Sequence, residues 1–132
     1  MRNILTVLAA AAILGLCGQL VAAEAAAPAT PAQSVSGVLV DQACAAGMMK
    51  TDAPEAAAKK HTKACAIKEA CEQSGYAVIS GKKLLKFDAN GNKLAKAFLA
   101  KTDKASDIEV VVKGVEKGDE IAVTSIDAPA AK

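Results

Sequence analysis

Between residues 35 and 126 the chain alternates short apolar runs with turn-forming residues, the pattern of a strand-rich fold. VSGVLVD at 35–41 carries β-branched residues between turn formers and predicts a strand. YAVIS at 76–80 and KLLKF at 83–87 predict two more, joined across Gly81-Lys82 by a tight turn. IEVVVKG at 108–114 and EIAVTSI at 120–126 form a further pair around EKGD, where Gly118 supplies the permissive backbone position. In the last run Ile121, Val123 and Ser125 alternate only imperfectly with Ala122, Thr124 and Ile126, so this strand is expected to be apolar on more than one side. The core expected from these runs is Val38, Val40, Val78, Leu85, Phe98, Val110, Val112, Ile121 and Val123.

Two segments have a helical period instead. PEAAAKKHTKACAIKEACEQS at 54–74 follows Asp52 as a cap, has Pro54 in its first turn and stops before Gly75, which predicts one continuous helix. NKLAKAFLAKT predicts a shorter helix at about 93–101, with Leu94, Ala97 and Phe98 on one face. Five strands, with a helical insertion at about 44–74 after the first and a helix between the third and fourth, follow the order of an OB-like, partly open barrel. The fold class is therefore mainly β with a helical insertion. An α+β layout, an antiparallel sheet with helices on one face, is the alternative.

The ends of the chain read differently. Residues 1–23 combine Arg2, an apolar run over 4–16 and a small-residue ending at Val21-Ala22-Ala23, the pattern of a secretory signal. Leu16 before Cys17 departs from the small residue that a lipid anchor requires, so cleavage after Ala23 is expected to remove Cys17. Residues 24–34 form an Ala/Pro linker and 127–132 a matching tail, neither able to bury a core. The expected mature chain is about 110 residues, one domain spanning 35–126. A periplasmic or secreted location follows, with no membrane contact after cleavage.

Charge adds little: 16 Lys and Arg stand against 14 Asp and Glu. With three aromatics and no arginine after cleavage, the barrel lacks the stacking residues and basic groove of a nucleic-acid binder. FDANGNKLAKAFL, from Phe87, spaces Asp88, Asn90 and Asn92 like a calcium loop. Lys93 and Leu99 stand where that loop needs a glycine and an acid, so the stretch is read as a polar turn ending a strand. No C-x-x-C, C-x-x-C-H or G-x-S-x-G motif is present, and one histidine gives little scope for acid–base chemistry. A non-enzymatic role is expected.

Three cysteines survive processing: Cys44, Cys65 and Cys71. The only histidine, His61, lies between the first two. On a continuous helix His61 and Cys65 are one turn apart on one exposed face. Ala57, Ala64, Ile67 and Cys71 form the buried stripe, and Cys65 points about 120° away from Cys71. If the first two strands are antiparallel neighbours, the end of the first at Asp41 lies beside the start of the second at Tyr76. That brings Cys44 and Cys71 to the neck of the insertion. A disulfide between them would contribute about 3–4 kcal/mol in the chain-entropy model. In this reading the chain is a stapled, non-catalytic module whose ligand the sequence does not identify, with no certain cofactor and a metal ion or an exported protein as the candidate partners. The other reading is a periplasmic metal-binding protein. Cys44, His61, Cys65 and Cys71 hold copper or zinc, and Asp41, Met48 and Met49 stand nearby in sequence.

From residue 36 to 126 the chain resembles a group of small, exported, uncharacterised bacterial proteins. The resemblance rests on GVLVDQAC at 37–44, HTKACA at 61–66 with Cys71, and SGY at 74–76. KFDANGN at 86–92 and VKGVEKGDEIAVTSI at 112–126 complete it. It implies the OB-like barrel and a role for the cysteine–histidine cluster, and no activity.

Overall fold

Val38, Leu39 and Val40 are all buried, so the first strand is covered on both faces. The computed structural model describes residues 31–130. The expected signal segment, with Cys17, and most of the expected linker fall outside that range. In chain order the elements are β1 (Gln33–Asp41), α1 (Gln42–Met48), α2 (Pro54–Lys59), α3 (Lys63–Ala66) and α4 (Glu69–Gln73). They are followed by β2 (Tyr76–Ser80), β3 (Lys83–Phe87), α5 (Ala89–Lys101), β4 (Glu109–Lys117) and β5 (Glu120–Asp127). β1 begins two residues before the expected 35, because Gln33 and Ser34 pair with Gly114 and Lys113.

The strands close into a barrel in the order β1-β2-β3-β5-β4. β1 is antiparallel to both neighbours, and only β3 and β5 run parallel. This is the mainly-β barrel with a helical insertion that the strand order predicts, closed rather than partly open. Gly81 and Gly118 turn the two hairpins with positive φ, at 60° and 67°. A bulge at Lys113/Gly114 in β4 helps the long strand curve from β1 to β5.

The interior is filled by Leu39, Tyr76, Val78, Leu85, Val110, Val112, Ile121 and Val123, with Ala95 and Leu99 of α5 plugging one end. Each such side chain, fully buried, contributes about 1.5–3 kcal/mol against exposure. A second apolar layer lies outside the barrel wall, where Val38, Val40, Ala77 and Ile79 meet Ala45 of α1 and Ala58 of α2. Every residue of the expected core is buried except Phe98, which is half-buried against the barrel cluster.

The helices depart most from expectation. The continuous helix over 54–74 is broken at His61-Thr62 and again at Ile67-Lys68. An unbroken helix there would be about 30 Å long. Its C-terminus would then have to return to Tyr76, which pairs with Asp41. Thr62 instead takes extended backbone, caps α3 through its hydroxyl and forms a bridge with Ser106. As a result Ala58 and Ala66 are buried, while Ala64 is exposed and Ile67 is 50% exposed, so the expected stripe is not the buried face. α5 starts at Ala89 rather than near 93, because Asp88 caps it by accepting from Gly91 N at 2.8 Å. No helix among the described residues is long and apolar enough to cross a membrane.

Candidate metal centre

The Asp41↔Tyr76 pair, where β1 and β2 meet, organises the site. Asp41 ends β1 and is the N-cap of α1: its Oδ1 accepts from Cys44 N at 2.9 Å. That hydrogen bond sets Cys44 in the first turn of α1, directly above the end of the strand. Tyr76 donates its hydroxyl to Ala66 O at 3.2 Å and so ties α3, with Cys65, to the barrel. His61 occupies the break between α2 and α3, and its own N–H closes α2 on Ala58 O.

A strap from the α5–β4 connection fixes that break on both sides. Asp107 N donates to Lys59 O at 2.9 Å and Lys63 N donates to Ala105 O at 2.8 Å. Asp107 makes this turn with φ at 50°, in the left-handed region that Asp tolerates better than most residues.

Asp41, Cys44, His61 and Cys65 thereby converge: one ligand atom from each lies within 4.8 Å of all the others. Asp41 is fully buried and His61 is 7% exposed, while the two cysteines are half-buried. His61 Nε2 lies 2.9 Å from Asp41 Oδ2 but off the hydrogen-bond direction. Asp41 Oδ2 and both ring nitrogens of His61 are consequently buried without a hydrogen-bond partner. Leaving such a group unmet costs about 1–3 kcal/mol, and more when it is charged.

The sulfurs of Cys44 and Cys65 stand 3.9 Å apart and are free thiols, as is Cys71. Two sulfurs at zinc-bond length, about 2.3 Å, on a tetrahedral ion are separated by about 3.8 Å. An oxygen and a nitrogen at about 2.0–2.1 Å would be about 3.3 Å apart, against 2.9 Å between Asp41 Oδ2 and His61 Nε2. The cluster could hold a metal ion: the sulfur pair already has the required spacing, and the carboxylate–imidazole pair would open by a few tenths of an ångström. Burial, and next the charge of Asp41, push the Cys44 thiol up to about 12. A bound cation would favour the thiolate and so oppose this shift.

The structure thus gathers His61, Cys65 and Cys44, and promotes Asp41 from a sequence neighbour to a member of the group. His61 is neither helical nor exposed, contrary to expectation. Cys71, on α4, falls outside the four-atom group, though burial and the charges of Asp41 and Cys65 raise its thiol. The sulfur contact recorded for Cys44 is with Cys65 rather than Cys71. Met48 and Met49 pack against the second apolar layer. The sequence placed Tyr76 beside Asp41, as the register shows, but gave no role to its hydroxyl. Thr62 and Asp107, which also position the site, were not singled out, and only Thr62, a capping residue type inside a helical pattern, carried a local signal. No family model, curated protein or solved structure matches the chain.

Proposed function

We propose that the chain is an exported metal-binding barrel in which Asp41, Cys44, His61 and Cys65 hold one zinc ion. The observation that carries this reading is the convergence of a carboxylate oxygen of Asp41 and a ring nitrogen of His61 on two thiols 3.9 Å apart, with Asp41 Oδ2 and both His61 nitrogens buried without hydrogen-bond partners. Four protein ligands close the coordination sphere, the arrangement of structural rather than hydrolytic zinc sites. The carboxylate argues for zinc over copper(I), which favours soft thiolate and thioether ligands. The two methionines that would suit copper pack elsewhere.

Bound there, the ion would join the end of β1, the first turn of α1, the α2–α3 break and α3. It would do for the insertion what a staple would do, and it would neutralise a carboxylate buried beside two thiols. Metal analysis of the full chain, purified reduced and dialysed against zinc, tests the reading. One zinc per chain is expected, retained in Cys71→Ser and lost in Cys65→Ser. A reduced wild-type chain without stoichiometric zinc refutes it, as does equal loss of metal in both variants.

A further inference from the structure

We infer that Cys44 and Cys65 are a reversible disulfide pair, and that their bond and the metal ion exclude each other. The inference rests on the zinc reading above and adds the regulation of that site. The two sulfurs are already in contact at 3.9 Å. A disulfide needs about 2.05 Å, so they must close by about 2 Å.

The carriers permit that movement. Cys65 rides on α3, a four-residue helix flanked by the breaks at Thr62 and Ile67. Cys44 sits in the first turn of α1. Both side chains are half-buried, so a small oxidant can reach them, while the other two ligands are buried beneath. The exposed edge of the cluster is therefore its sulfur edge.

The chemistry is thiol–disulfide exchange with a low-molecular-weight disulfide as oxidant. One cysteine thiolate attacks that disulfide, forming a mixed disulfide and expelling one small thiolate. The second cysteine then attacks the protein sulfur of the mixed bond, forming Cys44–Cys65 and expelling the other small thiolate. Two electrons pass from the protein sulfurs to the small disulfide, and zinc stays divalent throughout. With both thiolates consumed, only Asp41 and His61 remain, and the ion leaves. An excess of the low-molecular-weight thiol reverses the exchange: one thiolate attacks the Cys44–Cys65 bond, a second attacks the resulting mixed disulfide, the small disulfide is re-formed, and both protein thiolates are restored. In an oxidising exported compartment, metal occupancy would then follow the thiol–disulfide balance.

Trypsin separates the three cysteines: Cys65 lies in the peptide 64–68, Cys71 in 69–82, and Cys44 in a peptide ending at Lys50. Zinc-loaded full chain is titrated with oxidised glutathione, with a colorimetric chelator reporting free zinc and peptide mapping reporting the bond. The expected result is one zinc released per Cys44–Cys65 bond formed, recovery of binding after reduction, and the same behaviour in Cys71→Ser. Release accompanied by a Cys65–Cys71 or Cys44–Cys71 bond overturns the inference while leaving the zinc site standing. Zinc retained in a chain already carrying the Cys44–Cys65 bond does the same. A chain that takes no zinc even when fully reduced overturns both.

Discussion

Asp41→Asn separates the two duties of the central carboxylate. Asn is as good an N-cap as Asp, so its side-chain oxygen can keep the 2.9 Å bond from Cys44 N and leave α1 capped. The other oxygen becomes an amide nitrogen, which has no negative charge and does not ligate zinc. In the metal-free protein the substitution removes a fully buried carboxylate whose desolvation is offset only by the Cys44 N–H and by His61 Nε2 at 2.9 Å, off the hydrogen-bond direction. Metal-free Asp41→Asn is therefore expected to melt at or above the wild type. With zinc the order reverses. At a zinc concentration about 100-fold over its dissociation constant, the wild type gains about 2.7 kcal/mol. For a domain of about 100 residues this raises the melting temperature by roughly 10–20 °C. If losing one ligand weakens binding about 100-fold, the same zinc gives the variant only about 0.4 kcal/mol, or about 2–3 °C. Calorimetry of both proteins with chelator and with zinc makes the comparison. An Asp41→Asn protein several degrees less stable than wild type in chelator would show that the carboxylate is held by His61 Nε2, 2.9 Å away, in the metal-free fold and would overturn the reasoning. One that keeps the full zinc shift would remove it from the coordination sphere.

Two further outcomes test the scaffold. Burial raises Tyr76 to about 12, with the charges of Glu72 and Asp41 adding to it. Because the folded chain holds this proton more tightly than the unfolded chain, the associated stability is present below about pH 10 and drains as pH climbs towards 12. The raised Cys44 thiol acts in the same direction from about pH 9. Tyr76 is the only tyrosine and there is no tryptophan, so ultraviolet absorbance reads its ionisation directly. A folded tyrosine ionising near 10 with unchanged alkaline stability would contradict its placement. Gly91→Ala is expected to lower the urea midpoint, because the new methyl would lie 2.5 Å from Val123 Cγ2 and 2.9 Å from Phe87 Cβ. Overpacking of about 1–3 kcal/mol outweighs the gain in helix propensity of about 1 kcal/mol. A raised midpoint would show that the α5–barrel contact is looser than drawn.

The barrel was legible because its signals are local. Alternating apolar positions, the turn at Gly81 and the turn at Gly118 each lie within one hairpin, and the observed registers follow from them. The start of α5 was missed for the opposite reason. Asn90, Gly91 and Asn92 look like a turn in sequence, but their side chains and contacts serve distant strands. Asn90 donates to Val123 O at 2.8 Å, and Asn92 accepts from Tyr76 N at 2.7 Å. The expected polar turn is instead the capped first turn of α5. Its backbone conformation depended on partners far along the chain. α1 was also missed as a separate helix, although Asp41 before Cys44 is an N-cap signal; the aspartate was counted as the end of a strand and is both.

The break at His61-Thr62 is the place where local preference and tertiary demand conflict, and it is also where the cluster assembles. Ala- and Lys-rich residues from 54 to 74 favour an unbroken helix. On such a helix Cys65 and His61 would share one exposed face, with no means of reaching the buried Asp41. Breaking the helix at Thr62 removes its ladder hydrogen bonds, but the bridge to Ser106, the Asp107–Lys59 and Lys63–Ala105 bonds and the threonine cap replace them. The break turns His61 inward onto Asp41 and lets α3 place Cys65 opposite Cys44. Asp41 ends β1, Cys44 lies in the first turn of α1, His61 in the break between α2 and α3, and Cys65 in the four-residue α3, so a few backbone angles redirect each side chain. A sequence that abandons its local preference where a carboxylate, an imidazole and two thiols meet is one whose conflict marks a site rather than a packing fault. The Ser106–Asp107 strap belongs to that site as much as the ligands do, because without it the segment would have every local reason to straighten.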